Sequence, residues 1–429
     1  MLRSTAAAAV LVVASLAGQA ASGSLLQAAV VSEQPAASTP NLVVSDAVGH
    51  PLALAGSESD SGTMFVGGRF TEAQDANAGA LYLRHNLLAF DAVSGAISPD
   101  FAPDVNGRVF AVLAAGDGVY VGGDFTSING VARPGLAELN PVTGTVVRAF
   151  KPFALTRGRR VSEIRLVDNR LLVGGSFAGS LLALDPVTGA NTDYIDVAIT
   201  GRLQLTTTKT DVAKFAVNPA GTRLVAVGNF TAVNGEMRKR AFILHLGSSG
   251  ARLTSWYYYP LSHSCRSDKP SHQAYLQDVD FSPDGSYFVF VSTGYVPLHR
   301  GQIGIAVCDA AARFETSIAS PTKPTWINYT GGDTLYSVAA TGAAVYVQGH
   351  NRWLDNPYGR DFAGPGAKVR LGIGAIDSDT GKALAWNPSK PALQGGHDLL
   401  ATADGLWVMS DSTKFDHMYH RGIAFAPLP

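Results

Sequence analysis

Six polar side chains occupy one recurring position in this sequence. Arg69, Asp124, Ser176, Asn229, His350 and Asp411 each follow a Gly-Gly pair, or a degenerate form of one, that ends an apolar run. Equivalent positions of a repeat project to the same end of the molecule, so the six are expected to form a polar ring. Its mixed chemistry suits an asymmetric ligand better than a symmetric ion site. Asp124 and Asp411 are the carboxylates that could share general acid–base work, provided both reach a common centre. The competing reading is six solvated turn residues. A second group lies between His350 and Arg370, where Arg352, Trp353, Asp355, Asn356, Tyr358, Arg360 and Asp361 crowd one long loop. Aromatic, Arg and Asp/Asn side chains together suit recognition of a sugar or a peptide. The alternative there is a loop that packs on its neighbour and seals the fold.

Signatures of known chemistry are otherwise absent. His417 and His420 with Asp411 and Asp416 come nearest to a metal cluster, but HxxH on an irregular segment without Cys predicts no metal site. No HExxH helix, EF-hand loop or phosphate-cradling loop is present, and Gly174 to Ala178 lacks the last Gly of a nucleophile elbow. No cofactor is expected, and no catalytic residue is assigned.

The elements that must position these residues repeat along the chain. An apolar strand ending in Gly-Gly, one variable residue and an aromatic occurs as FVGGRF (65–70), VYVGGDF (119–125) and LLVGGSF (171–177). It degenerates through AVGNF (226–230), YFVFVSTG (287–294), VYVQGHN (345–351) and LWVMSDS (406–412). A second strand follows several copies and runs into a turn such as Asn140-Pro141-Val142-Thr143-Gly144. There the Asx side chain bonds backbone two residues on, Pro presets φ, and Gly takes the left-handed position. A third strand closes with aromatic-x-Pro, as at Phe101, Phe150 and Trp386, and another apolar strand, such as Val109 to Ala115, precedes each copy. The unit is therefore four antiparallel strands. Seven such units that cannot bury both faces alone imply an all-β, seven-bladed β-propeller. Small residues are expected on the axial strands, and Asn41 to Ser45 is expected to complete the short last blade and close the ring.

The chain has 429 residues, 46 Gly, 22 Pro and 16% charged residues, with 33 Lys+Arg against 34 Asp+Glu. That balance gives no field to steer the protein to nucleic acid. Arg3, an apolar run from Ala6 to Ala17 and small residues at Gly18 to Ala20 predict a signal peptide over residues 1–22. A linker over residues 23–40 and one domain over 41–429 follow, with no transmembrane segment. Cys265 and Cys308, the only cysteines, fit a disulfide in an exported chain.

GGDFTSINGVARPGLAELNPVTG resembles the delta-sixty-type propeller repeat of exported bacterial proteins of unknown function. TGGDTLYSVAATGAAVYVQGH, GPGAKVRLGIGAID and GLWVMSDS are similar to the same group, with departures at Gln348 and at Met409-Ser410. The resemblance implies the fold and export, and no activity. The expected role is a secreted, monomeric binding scaffold. Its b–c and d–a loops would take a carbohydrate or protein through His350, Arg352, Trp353, Asp355, Asn356, Tyr358, Asp124, Asp411, Arg69 and Asn229. The alternatives are an extracellular carbohydrate hydrolase or lyase with a site in the central depression, and a purely structural cell-surface module.

Overall fold

Two adjacent glycines at the end of a strand let two backbones approach from different sides. A Cβ on Gly67 or Gly122 would stand 2.4 or 2.6 Å from Val109 or Val161 on the first strand of the following sheet. A Cβ on Gly68, Gly123 or Gly175 would lie 2.1–2.2 Å from a carbonyl at the start of its own sheet's first strand. The recurring pair is thus sheet-to-sheet and strand-to-strand packing.

The computed structural model describes residues 25–44, 51–76, 79–156, 158–203, 209–266, 271–296, 300–391 and 395–429. The expected signal peptide lies outside them. The fold is all-β and propeller-like. Seven main antiparallel sheets recur in chain order among the described residues, beginning with Leu52–Glu58, Val109–Ala115, Val161–Val167, Asp211–Val217, Tyr275–Phe281, Leu335–Ala340 and Gly396–Ala401. They are called sheets 1 to 7 here. Each first strand packs beside that of the next sheet, and that of sheet 7 packs beside that of sheet 1. Apolar clusters fill the spaces between neighbouring sheets.

Among the described residues the four-strand unit is fully hydrogen-bonded only in sheets 4 and 5. In sheets 1, 2, 3 and 6 the fourth position is held by single bridges, Phe90–Ile97, Leu139–Val146, Leu184–Asn191 and Ile376–Ala383. An Asx turn joins the two residues of each bridge, and the chain leaves soon after it. Trp256, Trp386 and Trp407 are buried core residues, and Trp326 sits in the fourth strand of sheet 5, where its indole donates to Ser378 O at 2.7 Å.

The N-terminal segment departs from expectation. Asn41–Val43 does not complete sheet 7; it pairs antiparallel with Glu72–Gln74 beside sheet 1. The outer edge of sheet 7 is taken earlier, where Ser32 N donates to Pro427 O at 2.7 Å and Ala36 N to Phe425 O at 2.8 Å. The stretch expected as a linker is also anchored by Gln27, whose amide donates to Thr402 O (3.0 Å) and Gly405 O (2.8 Å). Val31 joins the Tyr346–Trp386 core. A strand edge left open is costly, which is why an Ala/Ser/Pro-rich stretch with few apolar residues is nonetheless held down.

Cys265 and Cys308 form a disulfide, 5.9 Å between Cα atoms, tying the connection before sheet 5 to the loop after that sheet's second strand. No helix of the described residues is long and apolar enough to cross a membrane.

Candidate functional site: the loop face and the axial cavity

Four of the six variable residues share a structural task. Asp124 Oδ1 accepts the N–H of Arg108 (2.8 Å), Ser176 Oγ that of Arg160 (3.1 Å), His350 Nε2 that of Thr334 (3.2 Å) and Asp411 Oδ1 that of Gly395 (3.3 Å). In all four the donor lies 16 residues earlier, just before its sheet's first strand. The side chain therefore caps the strand entry, and any small acceptor will serve. Asn229 does related work by accepting Leu203 N and donating to Lys209 O, both at 2.8 Å. Arg69 ends the second strand of sheet 1, half-buried. Both Asp124 oxygens are engaged by Arg108, whose guanidinium lies 2.9 Å from Oδ2, so the acid–base pair that Asp124 and Asp411 could form on reaching a common centre has no open oxygen on one side.

His350 nonetheless meets other titratable groups. Tyr336 packs edge-on to His350 (5.7 Å) and stacks on His397 (5.2 Å). Nearby, Lys390 is buried, donates to Ser412 Oγ at 3.3 Å, and is pushed down to about 8 by burial, with Asp411 opposing. His397 is held down to about 4, again by burial, with Asp411 opposing. His420 bonds Thr39 Oγ1 through Nδ1 at 2.7 Å, which fixes the N-terminal segment.

The Trp353 loop has a fixed base and an exposed tip. Asp355, at φ 51°, exchanges hydrogen bonds with the Asn328 side chain on the last strand of sheet 5 (2.7 and 2.8 Å). Asn356 is fully buried and its amide bonds Phe362 O (3.0 Å), Thr330 O (3.3 Å) and Gly364 N (2.9 Å). Arg352 forks onto Asp333 (2.7 and 2.9 Å), reaches Asp361 (3.1 Å) and stacks 4.4 Å above the Trp353 ring. The loop thus packs on its neighbour and also exposes Tyr358 (51%), Phe362 (56%) and Val369 (54%).

Among the described residues this loop is the longest of five related hairpins. The others pair Glu72–Gln74 with Leu81–Leu83, Ser127–Ile128 with Val131–Ala132, Ala232–Val233 with Glu236–Met237, and Lys414–Phe415 with Met418–Tyr419. Four are followed by an Arg that the sequence reading missed: Arg84, Arg133, Arg238 and Arg370. Each donates to the carbonyl of its preceding residue, Leu83 (2.7 Å), Ala132 (3.0 Å), Met237 (2.9 Å) and Val369 (2.6 Å). Arg84 also reaches Ser98 O, Arg238 Thr254 O, and Arg370 Leu384 O, near the sheet's outer edge. The signal was available, because each Arg stands three residues before the third main strand. The clamps hold an exposed residue before each Arg: Leu83 (63%), Met237 and Val369, with Tyr419 (58%) at the equivalent place before His420.

The axis differs more. The first strands enclose a cavity of about 940 Å³ that opens between Ser59–Ser61, Gly116–Asp117 and Thr402–Asp404, at the end away from the loop face. Its wall is not made of small residues alone, because Glu163, Arg165, Lys214, Asp278, Asp280 and Asp398 line it. Glu163 pairs with Arg165 and with Lys214 (2.7 Å). Asp278 and Asp280 accept the amides of Val338 (3.0 Å) and Ala340 (2.8 Å) on the next sheet, and Asp398 accepts Gly56 N at 2.9 Å. Ser57 Oγ does the same for Ala114 N at 3.0 Å. Burial pushes Asp278 up to about 7 against the pull of Lys214. Burial would lower Lys214, but Glu163, Asp398 and Asp278 overrule it and raise it.

Residues 115–146 match a family model described as a domain of unknown function (DUF5122) beta-propeller. No curated protein matches the chain. Among solved structures, the crystal structure of BamB from Moraxella catarrhalis is similar, with 14% sequence identity and a TM-score of 0.45 over 87% of this chain and 82% of that one. The matched family segment lies within one repeat of this β-propeller-like chain.

Proposed function

We propose that this chain is an exported, seven-bladed β-propeller that serves as a protein-interaction scaffold, with the Trp353 hairpin at the centre of its contact surface. The observation that carries the reading is the exposure of Tyr358, Phe362, Val369 and Leu371 on a hairpin whose base is pinned through Asp355, Asn356 and Arg352. Aromatic and aliphatic anchors on a rigid base lose little entropy on binding, which is what a protein hot spot needs. The clamped neighbours Leu83, Met237 and Tyr419 extend apolar contacts round the same face. Seven successive sheets, packing of sheet 7 on sheet 1, and an N-terminal segment on the outer edge of sheet 7 support the closed ring. The disulfide supports export.

A carbohydrate ligand at this hairpin is less favoured, because the Arg352 guanidinium covers one face of Trp353 where a sugar ring would stack. The hydrolase reading is weakened by the axial carboxylates. Glu163 is held by two cations, and Asp278 and Asp280 by backbone amides, so a water would have to displace structural bonds.

A photocrosslinking residue placed at 358 or 362 is expected to give discrete protein adducts on the cell envelope. The same residue at Val142 or Val187, exposed on turns at the opposite end, should give none. Identical adducts from both ends, or none from 358 and 362, would refute the assignment.

A further inference from the structure

The hairpin of sheet 7 differs from its relatives in one residue. Arg84, Arg133, Arg238 and Arg370 follow the other four, and a guanidinium stays charged at any physiological pH. The equivalent residue after Met418–Tyr419 is His420. Its partner differs too. Arg84, Arg238 and Arg370 reach the carbonyls of Ser98, Thr254 and Leu384 near the outer edges of their own sheets. At sheet 7 that outer position is filled by the N-terminal segment, and His420 Nδ1 meets Thr39 Oγ1 of that segment at 2.7 Å.

Residues 25–44 run as a strap across three sheets. Val31 N donates to the Tyr346 hydroxyl of sheet 6 at 2.9 Å, Ser32 and Ala36 bond the last strand of sheet 7, and Asn41–Val43 pairs beside sheet 1. The residue after His420 holds the strap as well. Arg421 N donates to Asn41 Oδ1 (2.7 Å), and Leu42 N donates to Arg421 O (2.9 Å).

The hydrogen bonds select one form of the imidazole. The Thr39 hydroxyl donates to Ile423 O at 3.2 Å, so its oxygen accepts the Nδ1–H of His420. Nε2 then carries the lone pair. It is buried without a hydrogen-bond partner among the described residues, and His420 as a whole is 4% exposed. A proton added at Nε2 would create a buried cationic donor with no acceptor, which is costly. Swinging the ring out to water removes that cost and gives up Thr39. Burial accordingly holds the imidazole below its usual range. The neighbouring charges are Glu33 of the strap, Glu72 opposite Val43, Lys414, Asp416 and His417 of the same hairpin, and Arg421; none of them contributes to that shift. Lys390, on the loop before sheet 7, is answered by Asp411.

We propose that residues 25–44 are an acid-released strap: the neutral His420 imidazole latches it over the outer edge of sheet 7, and protonation of that imidazole lets it go. As pH falls below about 6.5, the open form takes up the proton first, so acid favours opening. What opening uncovers is the backbone edge at Phe425 and Pro427 and the apolar seat of Val31. The device is independent of the protein-interaction reading, because no strap residue belongs to the Trp353 hairpin.

Double electron–electron resonance between nitroxides on Ala37→Cys and Asp404→Cys, both at exposed positions, reads the strap against sheet 7 in the full chain. The two native cysteines are joined to each other and take no label. One distance population is expected at about pH 7.5, and a second, longer one at about pH 5. NMR titration of the His420 ring should share the midpoint of that opening. His420→Gln, and His420→Arg, which restores the residue of the other hairpins, should each abolish the difference between the two pH values. Thr39→Val should raise the open population at about pH 7.5 at least threefold. A single population at both pH values, opening that persists in both His420 variants, or titration of the ring without opening would overturn the proposal.

Discussion

The carboxylate of Asp398 accepts the backbone N–H of Gly56 at 2.9 Å, joining residues 342 apart in the chain. The bond runs from the first strand of the last sheet to that of the first. Asp278 and Asp280 make the equivalent step from sheet 5 to sheet 6, and Ser57 from sheet 1 to sheet 2. The axis is therefore stitched by side chains that would look like a catalytic cluster if their partners were ignored.

Asp398→Ala removes the acceptor and leaves a half-buried amide unsatisfied, which should cost about 1–3 kcal/mol. Asp398→Asn keeps an oxygen in place and should cost less than half as much. Chemical denaturation compares the two, and hydrogen exchange at Gly56 should rise more in the alanine variant. Equal stability of the two variants would show that the bond contributes nothing to the packing of sheet 7 on sheet 1.

The departures from the Gly-Gly pattern make a reciprocal pair. Gln348 replaces the first glycine in sheet 6, and the facing position on sheet 7 is Gly396, where an added Cβ would stand 1.8 Å from Gln348 Oε1. Elsewhere Gly122 faces Val161. Gly396→Val alone should destabilise by about 3 kcal/mol through overpacking. Gln348→Gly alone loses two hydrogen bonds, to Asp398 O and Met409 O, and leaves a cavity. The double variant should recover about 2 kcal/mol relative to the sum of the single effects. Additive losses would contradict the volume exchange.

Truncation to residue 41 removes Gln27, Val31, Ser32 and Ala36 from sheet 7 and opens its edge. A loss of about 3 kcal/mol is expected from the lost bonds and apolar burial. Light scattering should report self-association through the open edge. A truncated protein with an unchanged denaturation midpoint would show that the segment is dispensable.

Stability should depend on pH through the buried carboxylates. Burial raises Asp278 to about 7, and burial with the Asp333 charge raises Asp309 to about 7. The folded state thus holds protons that the unfolded chain releases, so these groups stabilise most at low pH and lose that contribution as pH rises through 7. His397, held down to about 4, acts in the opposite sense, because the unfolded imidazole charges first as pH falls below about 6.5. The two carboxylates outweigh the one imidazole, so the denaturation midpoint should fall as pH rises from about 4 to about 7 and level off above it. In Asp278→Asn the fall should be visibly smaller; an unchanged slope would remove Asp278 as a source.

The sequence by itself determined the repeat, because Gly-Gly packing, Asx-Pro-Val-Thr-Gly turns and strand alternation are local chemistry written within a few residues. It also determined the cysteine pair, since only two are present. It did not disclose which polar residues were structural. Asp124, Ser176, His350 and Asp411 read as a ligand ring because they vary, yet each caps a strand entry 16 residues earlier, a task that many acceptors perform equally well. Glu163, Lys214, Asp278 and Asp398 drew no notice because each is one charge in an ordinary strand, and only the packing of one sheet beside the next brings them to one cavity. The same packing chose Ser32 and Ala36, not Asn41, to cover the outer edge of sheet 7. Those decisions belong to tertiary structure: they depend on which backbone amides meet a side chain from the neighbouring sheet, and no local pattern records that meeting.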